Sequence, residues 1–194
     1  MERVGGNPPD PFLVLISCLL SLRTQDETTD PASRRLFASA RTPQQLLHLP
    51  VPKISRLIYP VSFYRVKARR IHQICQHLIG RFRGKVPDTL EELLTLPGVG
   101  RKTANLVLTL GFQKPGICVD IHVHRISNRL GYVQTRGPLQ TEMALRDKLP
   151  ARYWLEYNAL LVAFGQRICR PVSPWCSRCP LAFLCSRIGV DRHR

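Results

Sequence analysis

The chain has 194 residues, of which 44% are hydrophobic and 22% charged, with a formal net charge of +16. That length suits one good core or two small lobes, and no secretory signal or membrane-length apolar run is legible, so a soluble, intracellular protein is expected. The charge points to a polyanionic partner, nucleic acid foremost.

Residues 1–11 are polar and proline-rich and read as an irregular lead-in. Phe12 to Leu22 is continuously apolar, which suits a central buried helix better than a strand. It ends abruptly in the polar Arg23-Thr24-Gln25-Asp26, where a buried helix could emerge into a groove. Asp30 and Pro31 read as the cap and first position of a second helix, and Thr42-Pro43 repeats that signature. A helix follows near Val51–Ile58, then a break at Tyr59-Pro60 running to Tyr64. From Lys67 to Phe82 the apolar residues Ile71, Ile74, Cys75, Leu78 and Ile79 make a helical face. Between Ala32 and Pro87 every formally charged residue is basic. A solvated basic face has the same composition, but an acid-free stretch of this length favours phosphate contact.

The chain is organised around Leu96-Pro97-Gly98-Val99-Gly100-Arg101-Lys102. Thr89 to Leu96 before it and Lys102 to Phe112 after it both read as helices, so the stretch between them is the turn of a helical hairpin. Gly98 and Gly100 can take positive φ and hold off no approaching backbone. The amides opening the second helix then suit a phosphate, although an ordinary helical turn carries the same local signature. Lys102 lies in the first turn of that helix, where the macrodipole disfavours a positive charge. A surface lysine there is a poor structural choice, whereas a nucleophile gains. Partial burial at a positive helix end can bring a lysine from about 10.4 toward about 7–8. A snorkelling or phosphate-binding lysine is the plainer alternative.

Further helices are expected over Val119–Leu130, Leu139–Leu149 and Tyr153–Arg167. No period-two strand and no internal repeat is visible, and the fold class is all-α. Cys18, Cys75 and Cys118 sit in apolar contexts and read as core thiols. Cys169, Cys176, Cys179 and Cys185 form C-x6-C-x2-C-x5-C in a basic, proline-containing tail with little hydrophobic material. A four-thiolate metal centre would staple such a tail. Structural zinc commonly pairs two short knuckles, and only one C-x2-C is present, so spacing favours a [4Fe–4S] cluster.

LPGVGRKTAN, then VDIHVHRISNRLG, then the four-cysteine tail resemble the endonuclease III family of helix-hairpin-helix DNA glycosylases. IYPVSFYRVK and FRGKVPDTLEELLTLPGVG extend the likeness from Pro11 to about Ile188. The resemblance implies two helical lobes with a DNA-binding cleft between them, a helix-hairpin-helix motif and a C-terminal [4Fe–4S] cluster loop. The lobes fall at residues 4–114 and 115–194, with residues 1–3 able to join the second. Only eleven residues precede Phe12, too few for the extra N-terminal helix that relatives place against the cluster lobe.

The resemblance also implies roles. Lys102 matches the nucleophilic lysine and Asp120 the catalytic carboxylate; a helix cap is chemically compatible with Asp120 too. Gly98, Gly100, Arg101 and His122 match DNA-contacting positions. His124 and Arg125 are equally readable as structural or phosphate-contacting, and Arg170 and Arg178 would face phosphate. Cys169, Cys176, Cys179 and Cys185 match the cluster ligands. Relatives usually carry glutamine where Arg23 stands, filling the space of the flipped nucleotide, and Phe63 matches a wedge residue from the other side. Arginine can fill that space but reads the orphaned base differently, so opposite-base dependence is expected to differ; phosphate contact for Arg23 and plain packing for Phe63 are the alternatives.

The implied function is a bifunctional DNA glycosylase and abasic-site lyase acting on oxidised pyrimidines in duplex DNA, as a monomer, inside the cell and, if the source is prokaryotic, in the cytoplasm or nucleoid. A mismatch or uracil/thymine glycosylase on the same scaffold is the alternative. A non-catalytic lesion-sensing module is a third reading, against which the pairing of Lys102 with Asp120 argues. The adenine-removing branch needs a glutamate within Phe12–Leu22, and none is there.

Overall fold

The computed structural model describes residues 9–194, and the expectations for the lead-in and for residues 1–3 fall largely outside them. The described residues form helices and no strand. The chain divides into two compact units, one running to Lys114 and the other from Pro115 to Arg194.

In the first unit, α1 (Pro11–Ser21) buries Phe12 to Leu20 without a break, as a helix apolar on all sides must. Asp10 caps it by accepting from the Phe12 amide at 2.8 Å, with Pro11 at the first position. Helices α2 (Asp26–Ser39), α5 (Tyr64–Phe82) and α7 (Arg101–Leu106) pack around it. α2 departs from the sequence expectation: it begins at Asp26, so Pro31 lies inside it and Asp30 is no cap. Pro31, the sixth residue of the helix, has no amide to give to the ladder, and Asp26 and Glu27 complement the helix dipole in the first turn.

α3 (Pro43–His48) is capped by Thr42, and α4 (Val51–Ile58) ends where expected. α5 starts three residues before the periodicity suggests, because Phe63, at φ 57°, turns the chain sharply into it. α6 (Leu90–Leu94), capped by Thr89, is the first arm of the hairpin. The second arm begins as α7 and continues as a π-helical segment over Val107–Gly111. Gly111 lies flat against α1: a Cβ there would stand 3.0 Å from the Pro11 Cα.

The second unit holds α8 (Ile121–Arg129), α9 (Pro138–Lys148) and α10 (Trp154–Arg167), around a core of Ile117, Val123, Ile126, Leu145 and Leu161. The cysteine tail follows, with a single 3₁₀ turn at Cys176–Arg178. Leu155 and Leu160 on α10 stay exposed among the described residues. None of the described helices is long and apolar enough to cross a membrane.

Candidate functional site

In the first unit the functional side chains gather on the hairpin and on two sharp turns. Gly98 takes φ +74°, and a Cβ there would meet the Arg70 side chain at 2.9 Å. Gly100 corrects the expectation. It is extended, at φ −97° and ψ 174°, and caps α7 with open space where a Cβ would be. The turn therefore requires glycine at 98, and nothing among the described residues requires it at 100. Arg101 is half-buried in the first turn of α7. Lys102, beside it, is exposed rather than partly buried as the sequence suggested. Burial pushes the Cys18 thiol of α1 up to about 12, against a smaller downward pull from the Lys102 charge. Lys102 thus stands near the buried central helix.

Arg23 and Phe63 come together. Each takes a left-handed backbone, at φ 55° and φ 57°, which costs a non-glycine residue energy and is kept where surroundings enforce it. The Arg23 guanidinium lies 5.9 Å from the centre of the Phe63 ring, within cation–π range, and Phe63 is 60% exposed. With Lys67, Arg70 and Gly98 they line an open cavity of about 370 Å³.

Lys67 was read from sequence as part of a basic face, and the structure corrects this. It is only 6% exposed, and its ammonium donates to the carbonyls of Leu20 at 2.7 Å and Leu22 at 2.6 Å and to Thr24 Oγ1 at 3.2 Å. The signal was its register: Lys67 falls on the stripe of Ile71, Ile74, Cys75 and Leu78. Arg35 is likewise engaged internally, donating to the carbonyls of Leu57 and Tyr59 at the end of α4. Part of the acid-free stretch is therefore structural. Burial pushes Lys67 down from 10.5 to about 8. A lysine lowered this way contributes stability that is full above 10.5 and lost as pH falls through about 8. The difference in unfolding free energy, wild type minus Lys67→Met, is expected to grow between about pH 7.5 and about pH 10 in urea melts. A shrinking difference would mean that the three acceptors outweigh burial.

In the second unit Asp120 caps α8. Its Oδ1 accepts from the amides of His122 and Val123, both at 2.9 Å, and so both bonds fall on one oxygen of the carboxylate. The cap reading and a chemical role are compatible in this geometry. His122 Nδ1 meets Arg125 Nη2 at 3.1 Å, while His124 Nδ1 meets Thr141 Oγ1 at 2.7 Å. α10 approaches α8 closely here: a Cβ on Gly165 would collide with the His122 ring and lie 3.0 Å from the Arg125 guanidinium. Sequence reasoning missed Gly165, which lies outside every quoted motif, and gave no role to Arg129, although it falls within VDIHVHRISNRLG.

Arg125 and Arg129, one helical turn apart, hold the cysteine tail. Arg125 donates to the Cys169 carbonyl at 2.8 Å. Arg129, 8% exposed, donates to the carbonyls of Arg170 and Pro171 at 2.6 and 2.7 Å and to Cys169 Sγ at 3.6 Å. Cys169, Cys176, Cys179 and Cys185 line one cavity whose apolar wall includes Ile126 and Phe164. The Arg187 amide donates to Cys185 Sγ at 3.4 Å. Arg178 is exposed and lies over the Trp175 ring, 4.9 Å from its centre. No three His, Cys, Asp or Glu side chains among the described residues are set to hold a single metal ion. Tetrahedral zinc, with Zn–S of about 2.3 Å, draws four sulfurs to roughly 3.8 Å of one another. Four thiols around a shared, apolar-walled cavity with N–H donors at two sulfurs suit a larger group.

Residues 16–151 match the model of the HhH-GPD superfamily of base excision DNA repair proteins. Endonuclease III of Thermotoga maritima is 53% identical over 176 residues, covering 91% of this chain and 83% of its own length. A solved structure of a trapped endonuclease III–DNA covalent intermediate, an estranged-adenine complex, superposes with a TM-score of 0.88. It is 37% identical and covers 96% of this chain and 87% of that one. A thermostable thymine-DNA glycosylase superposes at 0.83, is 26% identical, and covers 92% and 84%. The hairpin, the capping aspartate and the four-thiol cavity thus occur in a chain that belongs to the HhH-GPD superfamily of base excision DNA repair proteins and, within it, to the endonuclease III family.

Proposed function

We propose that this chain removes oxidised pyrimidines from duplex DNA and then cleaves the abasic strand, with Lys102 as nucleophile and Asp120 as the assisting carboxylate. The observation that carries the reading is Lys102 itself, exposed in the first turn after a glycine turn, in a family with a known trapped covalent DNA intermediate. The damaged base must leave the stack before its glycosidic carbon is accessible. As the C1′–N bond breaks, positive charge develops on the sugar, and Asp120 stabilises it and takes a proton from the Lys102 ammonium. The amine then bonds to C1′, the sugar ring opens, and a Schiff base forms. Loss of a C2′ proton expels the 3′ phosphate, and water releases the enzyme.

Lys67 is the competing amine, since burial already lowers its pKa to about 8. Its ammonium is held by Leu20, Leu22 and Thr24, which fixes the nitrogen away from a sugar and favours the protonated form that has no lone pair for attack. Gly98, Gly100 and Arg101 would follow the phosphate backbone, and His122 would contact DNA beside Asp120. Arg23 and Phe63 would fill the gap left by the flipped nucleotide, one as a planar cation and one as a ring. The partner is damaged duplex DNA bound by a monomer, wherever the cell keeps its DNA. The test is borohydride trapping on a duplex with one oxidised pyrimidine. A covalent complex supports the reading; trapping only on a ready-made abasic duplex would leave a lyase and send the search to other bases.

Arg23 favours a second reading. The similarity to a thymine-DNA glycosylase leaves room for a mismatch or uracil/thymine activity on this scaffold. An Arg23→Gln variant is expected to shift opposite-base dependence by about tenfold. Unchanged dependence would remove Arg23 from base reading.

Cys169, Cys176, Cys179 and Cys185 would hold a [4Fe–4S] cluster, which when bound supplies a rigid four-thiolate staple for a tail with little core of its own. Arg129 and the Arg187 amide would donate to its sulfur ligands. The purified protein is expected to be yellow-brown with absorbance at about 400 nm, and Cys179→Ser to lose it together with several degrees of Tm. Stoichiometric zinc and no iron on elemental analysis would overturn the assignment.

A further inference from the structure

One lysine ties together the two strained turns that carry Arg23 and Phe63. On the first turn, Leu20 and Leu22 offer carbonyls at the end of α1, where a helix lacks donors of its own and favours a positive charge. The Lys67 ammonium fills that place at 2.7 and 2.6 Å. Its third bond goes to Thr24 Oγ1, one residue beyond Arg23. That hydroxyl donates to the Leu22 carbonyl at 3.3 Å and accepts from the Ser62 amide, one residue before Phe63, at 3.2 Å. The loop is closed through the backbone, because the Lys67 amide donates to the Phe63 carbonyl at 3.0 Å. Both left-handed residues are thus flanked by members of a single hydrogen-bonded ring that runs through Lys67.

We propose that Lys67 is a positioning residue that locks the Arg23 turn against the Phe63 turn and thereby sets how well the protein opens a paired lesion. This rests on the reading of Arg23 and Phe63 as the residues that fill the flipped nucleotide's place. Neither left-handed backbone is favoured locally, and each relaxes once its flanking bonds go. A relaxed Arg23 still carries its charge and still meets phosphate, so binding persists. What is lost is a preformed side-chain pair at the moment the base leaves the stack, and that is paid only where there is a base pair to open. A lesion with no opposite base needs no such help.

The experiment compares kcat/KM for one oxidised pyrimidine in a fully paired duplex with the same lesion in a single-nucleotide bulge. Wild type, Arg23→Ala, Lys67→Met and the double variant are measured side by side. Lys67→Met keeps the apolar stem and removes all three donors. It is expected to lower the paired-over-bulged ratio by about tenfold, as Arg23→Ala does, and the double variant to fall no further than about twofold below the lower single. Equal losses on both substrates, or additive losses in the double variant, would make Lys67 an ordinary fold contact and overturn the proposal. If Arg23→Ala leaves the ratio unchanged, it is the reading of Arg23 that fails. If Arg23→Ala lowers it and Lys67→Met does not, only the role of Lys67 falls. Should Lys67→Met not fold, Thr24→Val cuts the link to Ser62 while leaving the ammonium in place. It is expected to lower the ratio by about threefold in the same direction, and no change would overturn the proposal.

Discussion

Replacing Lys102 by alanine is expected to abolish borohydride trapping and to lower strand cleavage by at least about a thousandfold, with the fold no less stable. The asymmetry follows from where Lys102 stands. It is exposed in the first turn of α7, so its removal opens no cavity and leaves no buried group without a partner. Taking a positive charge from a helix start and placing alanine there favours the helix by about 0.3–1 kcal/mol. A rise in Tm together with loss of chemistry would mark a residue kept for reaction at a cost to structure. Gel shifts on an abasic duplex check that DNA binding survives. A trapped complex that persists in Lys102→Ala would move the nucleophile elsewhere, with Lys67 the first amine to test.

Asp120→Asn is expected to give the second large effect, and it separates the helix cap from the proposed chemical role of the same side chain. Asparagine caps helices about as well as aspartate, so the two bonds from His122 and Val123 to Oδ1 are retained. α8 should therefore keep its start, with Tm within a few degrees of wild type. The negative charge is gone, however, and with it the stabilisation of the sugar cation and the proton acceptor for Lys102. Excision is expected to fall by about 10²–10⁴. Asp120→Ala should lose a comparable amount of activity and, in addition, about 1 kcal/mol of stability from the missing cap. Near-normal excision in Asp120→Asn would leave Asp120 as a cap and nothing more.

The helices were legible because their signals are local. Thr42-Pro43, Thr89 three residues before Glu92, and the unbroken apolar run of α1 each carry their own cause. α2 was misjudged because Pro31 looks like a helix start, while the true start is set by Asp26 and by packing against α1 and α4. The family's motif residues were legible as motifs. Their surroundings were not, since a contact between residues 20 and 67, or 129 and 170, leaves no trace in spacing. Lys67 is the instructive case. Its charge argued for the surface and its register for the core, and the register was right because three oxygens were waiting there.

The π-helical segment over Val107–Gly111 gives the hairpin an adjustable phase. A π turn accommodates one residue more than an α turn, and each residue of an α-helix advances the face by about 100°. Gly111 is fixed against Pro11 at one end, while Lys102 rides on the other. A deletion anywhere between 107 and 111 would let the ladder close as ordinary α-helix with little loss of hydrogen bonding. Because the π turn already holds that extra residue within a single turn, its removal would leave Lys102 within about 10° of its present direction. For this stretch of chain the length requirement is therefore one-sided: a single-residue deletion preserves the aim of the amine, and a single-residue insertion turns it by about a quarter turn.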